Sequence, residues 1–532
     1  MGLGEVMGCS RAWVLLLLLG APLSVTAAER AVQGDEVVLA LGSATGASES
    51  GVTSWKGLPY AAAPVGNLRW QPPAPPRPWQ GTRDATAWPS VCPQTVMAGQ
   101  PALATSEDCL YLNVWAPAKR AADKPLPVMV WIHGGGFRQG SGEIAGAVLA
   151  NQGAIVVSMN YRLGPLGFFA HPALARAEAN FALLDMTAAL RWVRDHIAAF
   201  GGDPNNVTVF GVSAGGMAVQ LLMVHPPARG LFHKAIVQSG YGTWGLMRSA
   251  SAPVPAPLDM ALAPVAPATA EAASTALVGR LSSAQQTREM LMALDAQALA
   301  DALVGFQLPI VDGSSLPEEP AILFERGAQY AVPTIMGGNS FEGSVMPASG
   351  ISSDIWRTWV GSRLPAVEAA YATDFAVSHE LGVMRAFGDQ RYLVATRLMG
   401  DAMARVSAPA WLYYLDYVAP ESRASFPGSP HGADAVILFS GHNAADAQTR
   451  AVAERMQARW VAFARSGVPN PPGLPEWPAR RGAAADSAND SWLVMRAEEH
   501  IEDNVIGARL DVLTEHYRDR VRPLENPEAT GR

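Results

Sequence analysis

Charged residues, and lysine above all, are scarce in this sequence. They occupy 16% of the 532 positions, four of them are lysines, and the formal net charge is −8. No run of basic residues occurs. Because nucleic-acid binding requires clustered lysine and arginine to neutralise phosphates, the composition argues against a nucleic-acid partner. With 49% hydrophobic residues, the chain has ample material for a large core instead.

Cysteine is also rare. The chain contains Cys9, Cys92 and Cys109, and Cys9 lies in an N-terminal segment that we expect to be removed. The other two form an even pair, which in an oxidising compartment favours a disulfide. Two buried free thiols are the alternative.

Long apolar runs are absent apart from a short one near the N-terminus. Arg11 precedes the apolar residues 13–19, and Ala27 and Ala28 offer small-residue cleavage sites. This pattern predicts a signal peptide over residues 1–28 and a secreted or periplasmic protein. An uncleaved signal anchor is the alternative, although the run is shorter than the roughly 20 residues that span a bilayer. No later segment predicts a membrane span.

Strand-like and helix-like patterns alternate along the rest of the chain. Apolar, β-branched runs predict buried strands, and apolar residues at three- and four-residue spacing predict a helix over residues 183–200. This alternation predicts an α/β fold, in which helices cover both faces of a mostly parallel sheet. We expect residues 29–532 to form a single domain. The predicted strands cover residues 127–132, 154–160, 207–210, 234–238, 332–337 and 411–418.

Residues 249–273 are rich in alanine and proline and lead into predicted helices around residues 275–303. One interpretation is a helical insertion over residues 249–303, at the mouth of an active site. A plain linker is the other.

The clearest catalytic motif is Gly211-Val212-Ser213-Ala214-Gly215. It follows the predicted strand 207–210 and precedes a helical stretch over residues 217–224. A nucleophile elbow requires this context, because the serine sits in a tight turn and small residues two positions away avoid clashes with the backbone. The motif therefore indicates a nucleophilic Ser213. A glycine-rich turn with an ordinary serine is the alternative.

A second glycine motif, His133-Gly134-Gly135-Gly136-Phe137, follows the predicted strand 127–132. Its backbone N–H groups suit an oxyanion hole, with Gly135 and Gly136 as two donors and Ala214 as a third. Tight packing and a phosphate cradle are the alternatives. A phosphate loop would require lysine and a hydroxyl residue after the glycines, and residues 137–139 provide neither.

Together these motifs resemble the type-B carboxylesterases, the family that includes the cholinesterases. Family-like blocks also occur at residues 56–61, 107–115, 160–164, 200–204 and 467–470. The resemblance implies the α/β-hydrolase fold and a serine carboxylesterase that acts on small-molecule esters with water, without a metal ion or cofactor. An interfacial lipase and a non-catalytic binding protein of the same fold are the alternatives.

The resemblance also assigns the partners of Ser213. It implies that Glu342, in a Glu-Gly pair, is the acid of a catalytic triad and that His431, in a His-Gly pair, is the base. The order serine, acid, histidine is that of α/β-hydrolases. An acyl-enzyme mechanism follows from this assignment.

The resemblance further implies the Cys92–Cys109 disulfide and two structural ion pairs, Arg69–Glu107 and Arg162–Asp185. The chain departs from many relatives at Val212, where they carry a glutamate of a buried polar network. Ser239 and Asp434 stand at the two other places of that network, and we predict a hydrogen bond between them.

The substrate is less defined than the reaction. Cholinesterases bind quaternary ammonium through a tryptophan in the loop that here covers residues 93–108, and this loop has no aromatic residue. A choline ester is therefore disfavoured. Phe137, Tyr241 and Trp244 are candidates for lining the substrate pocket, with core packing as the alternative. The sequence carries no signal for an oligomeric state.

Overall fold

A computed structural model describes residues 35–95, 104–120, 123–252, 269–480 and 490–525 of the chain. The predicted signal peptide, residues 1–28, lies outside the described residues. So do residues 253–268 of the alanine- and proline-rich stretch. None of the described helices is long and apolar enough to cross a membrane.

An eleven-stranded sheet is the centre of the structure, with the spatial order β11-β10-β9-β8-β7-β6-β4-β5-β3-β2-β1. The strands in chain order are β1 (Ala47–Glu49), β2 (Val52–Pro59), β3 (Tyr111–Pro117), β4 (Leu126–Ile132), β5 (Ile155–Met159), β6 (Gly202–Val212), β7 (Lys234–Gln238), β8 (Thr334–Asn339), β9 (Ala410–Leu415), β10 (Ser491–Met495) and β11 (Glu499–Asp503).

The strands from β5 to β10 in this order pair in parallel, and the outer pairings are antiparallel. The predicted α/β fold is thus confirmed, and all six predicted strands lie in the parallel part. The sequence patterns missed the antiparallel strands at the edges. The edge strands β1 and β11 mix polar and apolar residues, so they lack the continuous apolar signal of a strand buried on both faces. Two mostly apolar strands, β3 and the parallel β10, were also missed.

Side chains of the parallel strands alternate between two cores. In β4, Val128, Val130 and Ile132 join the larger core on one face, whereas Met129 and Trp131 join the core on the other face. This follows from the two-residue period of a strand.

Helices cover both faces, and the predicted helix 183–200 is observed as Phe181–His196 followed by a 3₁₀ turn. The α-helices are Ala147–Ala150, Gly164–Gly167, Phe181–His196, Ala214–Leu222, Ala270–Leu281, Arg288–Ala293, Ala296–Asp301, Pro320–Glu325, Met346–Ser349, Ser353–Val360, Leu364–Ala370, Ala372–Val377, His379–Gly388, Val394–Arg405, Ala433–Ser440, Ala447–Ser466 and Gly507–Glu525.

The described part of the segment 249–303 contains three of these helices, which begin after the side-chain caps Thr269, Thr287 and Asp295. Each helix contributes a buried leucine to a third core built on Trp70 and Phe169. The leucines are Leu277, Leu291 and Leu299.

A second helical region, between β8 and β9, has no counterpart among the predicted elements. One π-helical segment, Asp389–Leu393, interrupts it between helices His379–Gly388 and Val394–Arg405. Such wide turns are frequent at functional sites.

The predicted covalent and ionic contacts are confirmed. Cys92 and Cys109 form a disulfide with a Cα–Cα distance of 5.1 Å. Arg69 binds both carboxylate oxygens of Glu107, at 2.7 and 2.5 Å. Arg162 makes the same bidentate contact with Asp185, at 2.8 and 2.7 Å, and both side chains are buried.

Replacing Arg162 by methionine should destabilise the protein by about 3–5 kcal/mol, because the Asp185 carboxylate then stays buried without its counter-ion. The double variant Arg162→Met/Asp185→Leu should regain most of this loss. Urea denaturation followed by circular dichroism measures both. The control is Arg194→Met, which breaks the exposed Arg194–Asp195 pair and should change stability by less than about 1 kcal/mol. Equal losses in the single and double variants would contradict the prediction.

Candidate active site

Ser213 occupies a strained turn between β6 and the helix Ala214–Leu222. Its backbone has φ of 58° and ψ of −119°, a conformation that side-chain-bearing residues rarely adopt. The turn is held by the Ser213 N–H, which donates to the Gln238 carbonyl at 2.8 Å. The serine is 8% exposed, so it is recessed but not sealed.

The flanking glycines are required by close approach to β4. A Cβ atom on Gly211 would lie 2.6 Å from the Ile132 carbonyl oxygen, and one on Gly215 would lie 2.0 Å from the same atom. Any larger residue would push the turn away from the sheet. The Gly-x-Ser-x-Gly pattern is thus explained by backbone contact.

The glycine loop after β4 lies against the Ser213 turn. A Cβ atom on Gly134 would be 3.3 Å from the Ser213 Cβ. Gly135 and Gly136 have φ of 103° and 61°, and neither N–H donates to another backbone carbonyl in the described structure. The Ala214 N–H opens a helix and therefore has no carbonyl partner within that helix. Three N–H groups beside a serine are a suitable binding site for a negatively charged oxygen.

His431 and Glu342 are directly hydrogen-bonded, His431 Nδ1 to Glu342 Oε2. The two loops that carry them are also tied together, since the His431 N–H donates to Ser344 Oγ at 2.8 Å and the Phe341 N–H donates to the Ser429 carbonyl at 2.8 Å. His431 Nε2 is buried and has no hydrogen-bond partner among the described residues. The imidazole is therefore oriented through one nitrogen while the other stays unbonded.

The second oxygen of Glu342 receives three hydrogen bonds. Ser239 Oγ donates to Oε1 at 2.6 Å, and Asn339 donates from its backbone N–H at 2.7 Å and from Nδ2 at 3.1 Å. All three residues are buried. The acid is consequently fixed on both oxygens.

The predicted hydrogen bond between Ser239 and Asp434 is wrong. Ser239 donates to Glu342 instead, because the ends of the neighbouring strands β7 and β8 bring these two residues together. Asp434 accepts from Tyr413 Oη at 2.5 Å and from Asn339 Nδ2 at 3.4 Å, and burial raises the pKa of Asp434. Asn339, which no sequence pattern predicted, joins Glu342 to Asp434 through its Nδ2 group. Its one available signal is its polar side chain at the last position of the buried strand β8.

The pocket candidates are all buried. Phe137 packs against Tyr161 and Phe168, at ring-centroid distances of 6.3 and 5.0 Å. Tyr241 and Trp244, each 1% exposed, pack around the Arg391 guanidinium.

Further residues close to the site gave no recognisable sequence signal. The Tyr392 ring lies over His431 at a centroid distance of 4.5 Å. The Phe306 ring packs against Gly136, since a Cβ atom on Gly136 would lie 2.3 Å from the nearest atom of that ring. The described part of the chain contains no group of three or more residues that could hold a metal ion.

Comparison with known proteins identifies the family of the chain. The family model described as the carboxylesterase family matches residues 33–510. The fumonisin B1 esterase of Sphingopyxis macrogoltabida is 35% identical over 88% of this chain and 89% of its own length. The para-nitrobenzyl esterase of Bacillus subtilis is 34% identical over 82% of this chain and 91% of its own.

Solved structures show the same fold. A structure titled PNB esterase superposes with a TM-score of 0.75 at 31% identity and covers 90% of this chain and 100% of its own. A carboxylesterase of Geobacillus stearothermophilus gives a TM-score of 0.74 at 31% identity with the same coverage of both chains. The predicted α/β-hydrolase fold is thereby confirmed.

Removing the donors of Glu342 Oε1 should weaken the orientation of His431. We expect Ser239→Ala and Asn339→Leu each to lower kcat for p-nitrophenyl butyrate by about 10- to 100-fold, the equivalent of one hydrogen bond to a charged group. KM should change little, because both side chains are 0% exposed. The control Ser349→Ala removes a buried hydroxyl that donates to the Met346 carbonyl instead, and it should retain kcat. Folded Ser239 and Asn339 variants with normal kcat would refute the positioning role.

Proposed function

The chain belongs to the carboxylesterase family, and we propose that it hydrolyses carboxylic esters through a catalytic triad of Ser213, His431 and Glu342. The observation that supports this proposal most directly is the hydrogen bonding of the two His431 ring nitrogens. Its Nδ1 is bound to a buried carboxylate, whereas its Nε2 is buried and unbonded. Catalysis requires this tautomer-fixing contact on one nitrogen and a second nitrogen that no other group occupies, so that it can accept the proton of the serine hydroxyl.

The strand order supports the same assignment. Ser213 follows β6, Glu342 follows β8 and His431 follows β9, so all three lie at the carboxyl edge of adjoining parallel strands. Catalytic groups of open α/β sheets gather at this edge.

In the proposed mechanism, His431 Nε2 accepts the proton of the Ser213 hydroxyl as Ser213 Oγ attacks the ester carbonyl. Glu342 stabilises the imidazolium that forms. The N–H groups of Gly135, Gly136 and Ala214 bind the oxyanion. Collapse of the tetrahedral intermediate breaks the bond to the alcohol, which leaves with the proton from His431. Water, activated by His431, then attacks the acyl-enzyme and releases the acid.

We also propose that the protein is exported. The Cys92–Cys109 disulfide supports this, because structural disulfides persist in oxidising compartments. The basic, apolar and small-residue pattern of residues 1–28 supports it independently.

Ser213→Ala should lower kcat for p-nitrophenyl butyrate by about 10⁴-fold or more, because no other hydroxyl can replace the nucleophile. The wild-type protein should gain the mass of one phosphonyl group on treatment with a p-nitrophenyl alkylphosphonate, at Ser213, and the variant should not. Ser466→Ala, at the exposed end of helix Ala447–Ser466, is the control and should react normally. Substantial activity in a folded Ser213→Ala protein would overturn the assignment.

A further inference from the structure

Arg391 is a buried cation without a carboxylate partner among the described residues. It is 1% exposed, and its Nε, Nη1 and Nη2 atoms make no well-formed hydrogen bond to a described residue, although the phenols of Tyr241 and Tyr392 lie close enough to interact with the guanidinium. Other buried arginines of the core are paired with acids. Arg459 binds Glu499 at 2.8 Å, and Arg162 binds Asp185 at 2.7 Å. Arg391 differs from both in lacking a carboxylate partner.

Four aromatic rings surround the Arg391 guanidinium. Its carbon lies 4.5 Å from the Trp244 ring centroid, 4.6 Å from Tyr241, 5.6 Å from Phe306 and 5.7 Å from Tyr392. We call these five residues the arginine cage. Of the four rings, that of Phe306 belongs to a partly exposed residue, so the Phe306 side of the cage is the side nearest to solvent.

The arginine cage contains further unused donors. Trp244 Nε1 and the hydroxyl oxygens of Tyr241 and Tyr392 are buried and have no hydrogen-bond partner in the described structure. Burial raises the pKa of Tyr241 to about 12, and it also raises the pKa of Tyr392, while Arg391 opposes both rises. The two phenols therefore keep their protons at neutral pH. The cluster thus holds several buried hydrogen-bond donors. The partners that the guanidinium has among the described residues are the neutral phenols of Tyr241 and Tyr392, and no carboxylate balances its charge.

The cage is joined to the proposed catalytic site at two points. Tyr392 packs on the His431 ring, and Phe306 lies against Gly136 of the glycine loop. The Gln307 N–H also donates to the Gly136 carbonyl at 3.0 Å. A ligand group held in the cage would therefore adjoin the proposed catalytic site.

Aromatic rings do not satisfy the hydrogen-bonding groups of this charge. Four cation–π contacts, at up to about 2 kcal/mol each, can offset much of the several kcal/mol that burial of an unpaired ion costs, but they leave the N–H donors of the guanidinium without full hydrogen bonds. An anion with several acceptor oxygens would satisfy the guanidinium and the neighbouring donors together. A carboxylate fits, because arginine binds it with two parallel hydrogen bonds.

We propose that the arginine cage binds a free carboxylate of the substrate, so that the enzyme selects esters that carry a second, ionised acid group. This inference rests on the proposed ester hydrolysis and adds the charge of the substrate to it. The carboxylate can belong to the acyl part or to the alcohol part of the ester.

The test compares three esters of similar size. Mono-p-nitrophenyl glutarate carries its carboxylate on the acyl side, 4-butyryloxybenzoate carries it on the alcohol side, and p-nitrophenyl butyrate carries none. In Arg391→Met, kcat/KM for one anionic ester should fall by about 10- to 100-fold relative to the neutral ester. The ester that responds identifies the side of the substrate that enters the cage. Arg391→Lys should retain part of the preference, since it keeps the charge but not the paired geometry.

The matched control is Arg397→Met, in the adjoining helix. Arg397 is also buried, but it binds Asp511 at 2.9 Å and Thr514 at 2.7 Å. The ratio of anionic to neutral ester hydrolysis should not change in this variant. An equal loss for all three esters in Arg391→Met, or an unchanged ratio, would show a structural role and overturn the proposal.

A second measurement does not depend on how the variants fold. Glutarate should inhibit the wild-type hydrolysis of p-nitrophenyl butyrate competitively, and glutaramide should inhibit at least 10-fold less. Equal inhibition by both compounds, or none by either, would overturn the carboxylate site. If instead the wild type hydrolyses no ester, the proposed function fails, and calorimetric titration of glutarate into the protein still decides the binding site.

Discussion

Parallel strand pairing is the constraint on which the rest of this structure depends. When neighbouring strands run in one direction, their carboxyl ends meet at one edge, and each strand must return through a crossover that covers a face. The residues after β6, β8 and β9 are thereby gathered from a stretch of chain that runs from position 213 to position 431. The proposed triad is a consequence of this pairing, since no local sequence contact joins Ser213, Glu342 and His431.

Close backbone approach is the second physical requirement. The turn of Ser213 and the loop of Gly134–Gly136 both lie within contact distance of neighbouring main chain, where a Cβ atom would not fit. Glycine is needed there for space as well as for its permitted dihedral angles. This explains why two short glycine motifs, distant in the sequence, form one surface of N–H groups.

Buried polar groups near the site fall into two classes. Around Glu342, the donors of Ser239 and Asn339 and the imidazole of His431 satisfy both carboxylate oxygens, and Asn339 extends the network to Asp434. With Val212 at the position where the family resemblance implies an acid, Asn339 links Glu342 to Asp434 in this network. In the arginine cage, by contrast, donors remain unsatisfied. A fully bonded group holds the geometry, whereas an unbonded one is available to a ligand.

The sequence by itself determined the α/β fold, the six central strands, the serine turn and the glycine loop, because each has a local signature in hydrophobic period or in glycine spacing. The family resemblance added Glu342, His431, the disulfide and two ion pairs. Only the tertiary structure decided that Ser239 serves Glu342 instead of Asp434, that Asn339 bridges them, and that Arg391 lies among four aromatic rings. These contacts join strand ends and helices remote in the chain, so their energies depend on packing that no local pattern encodes.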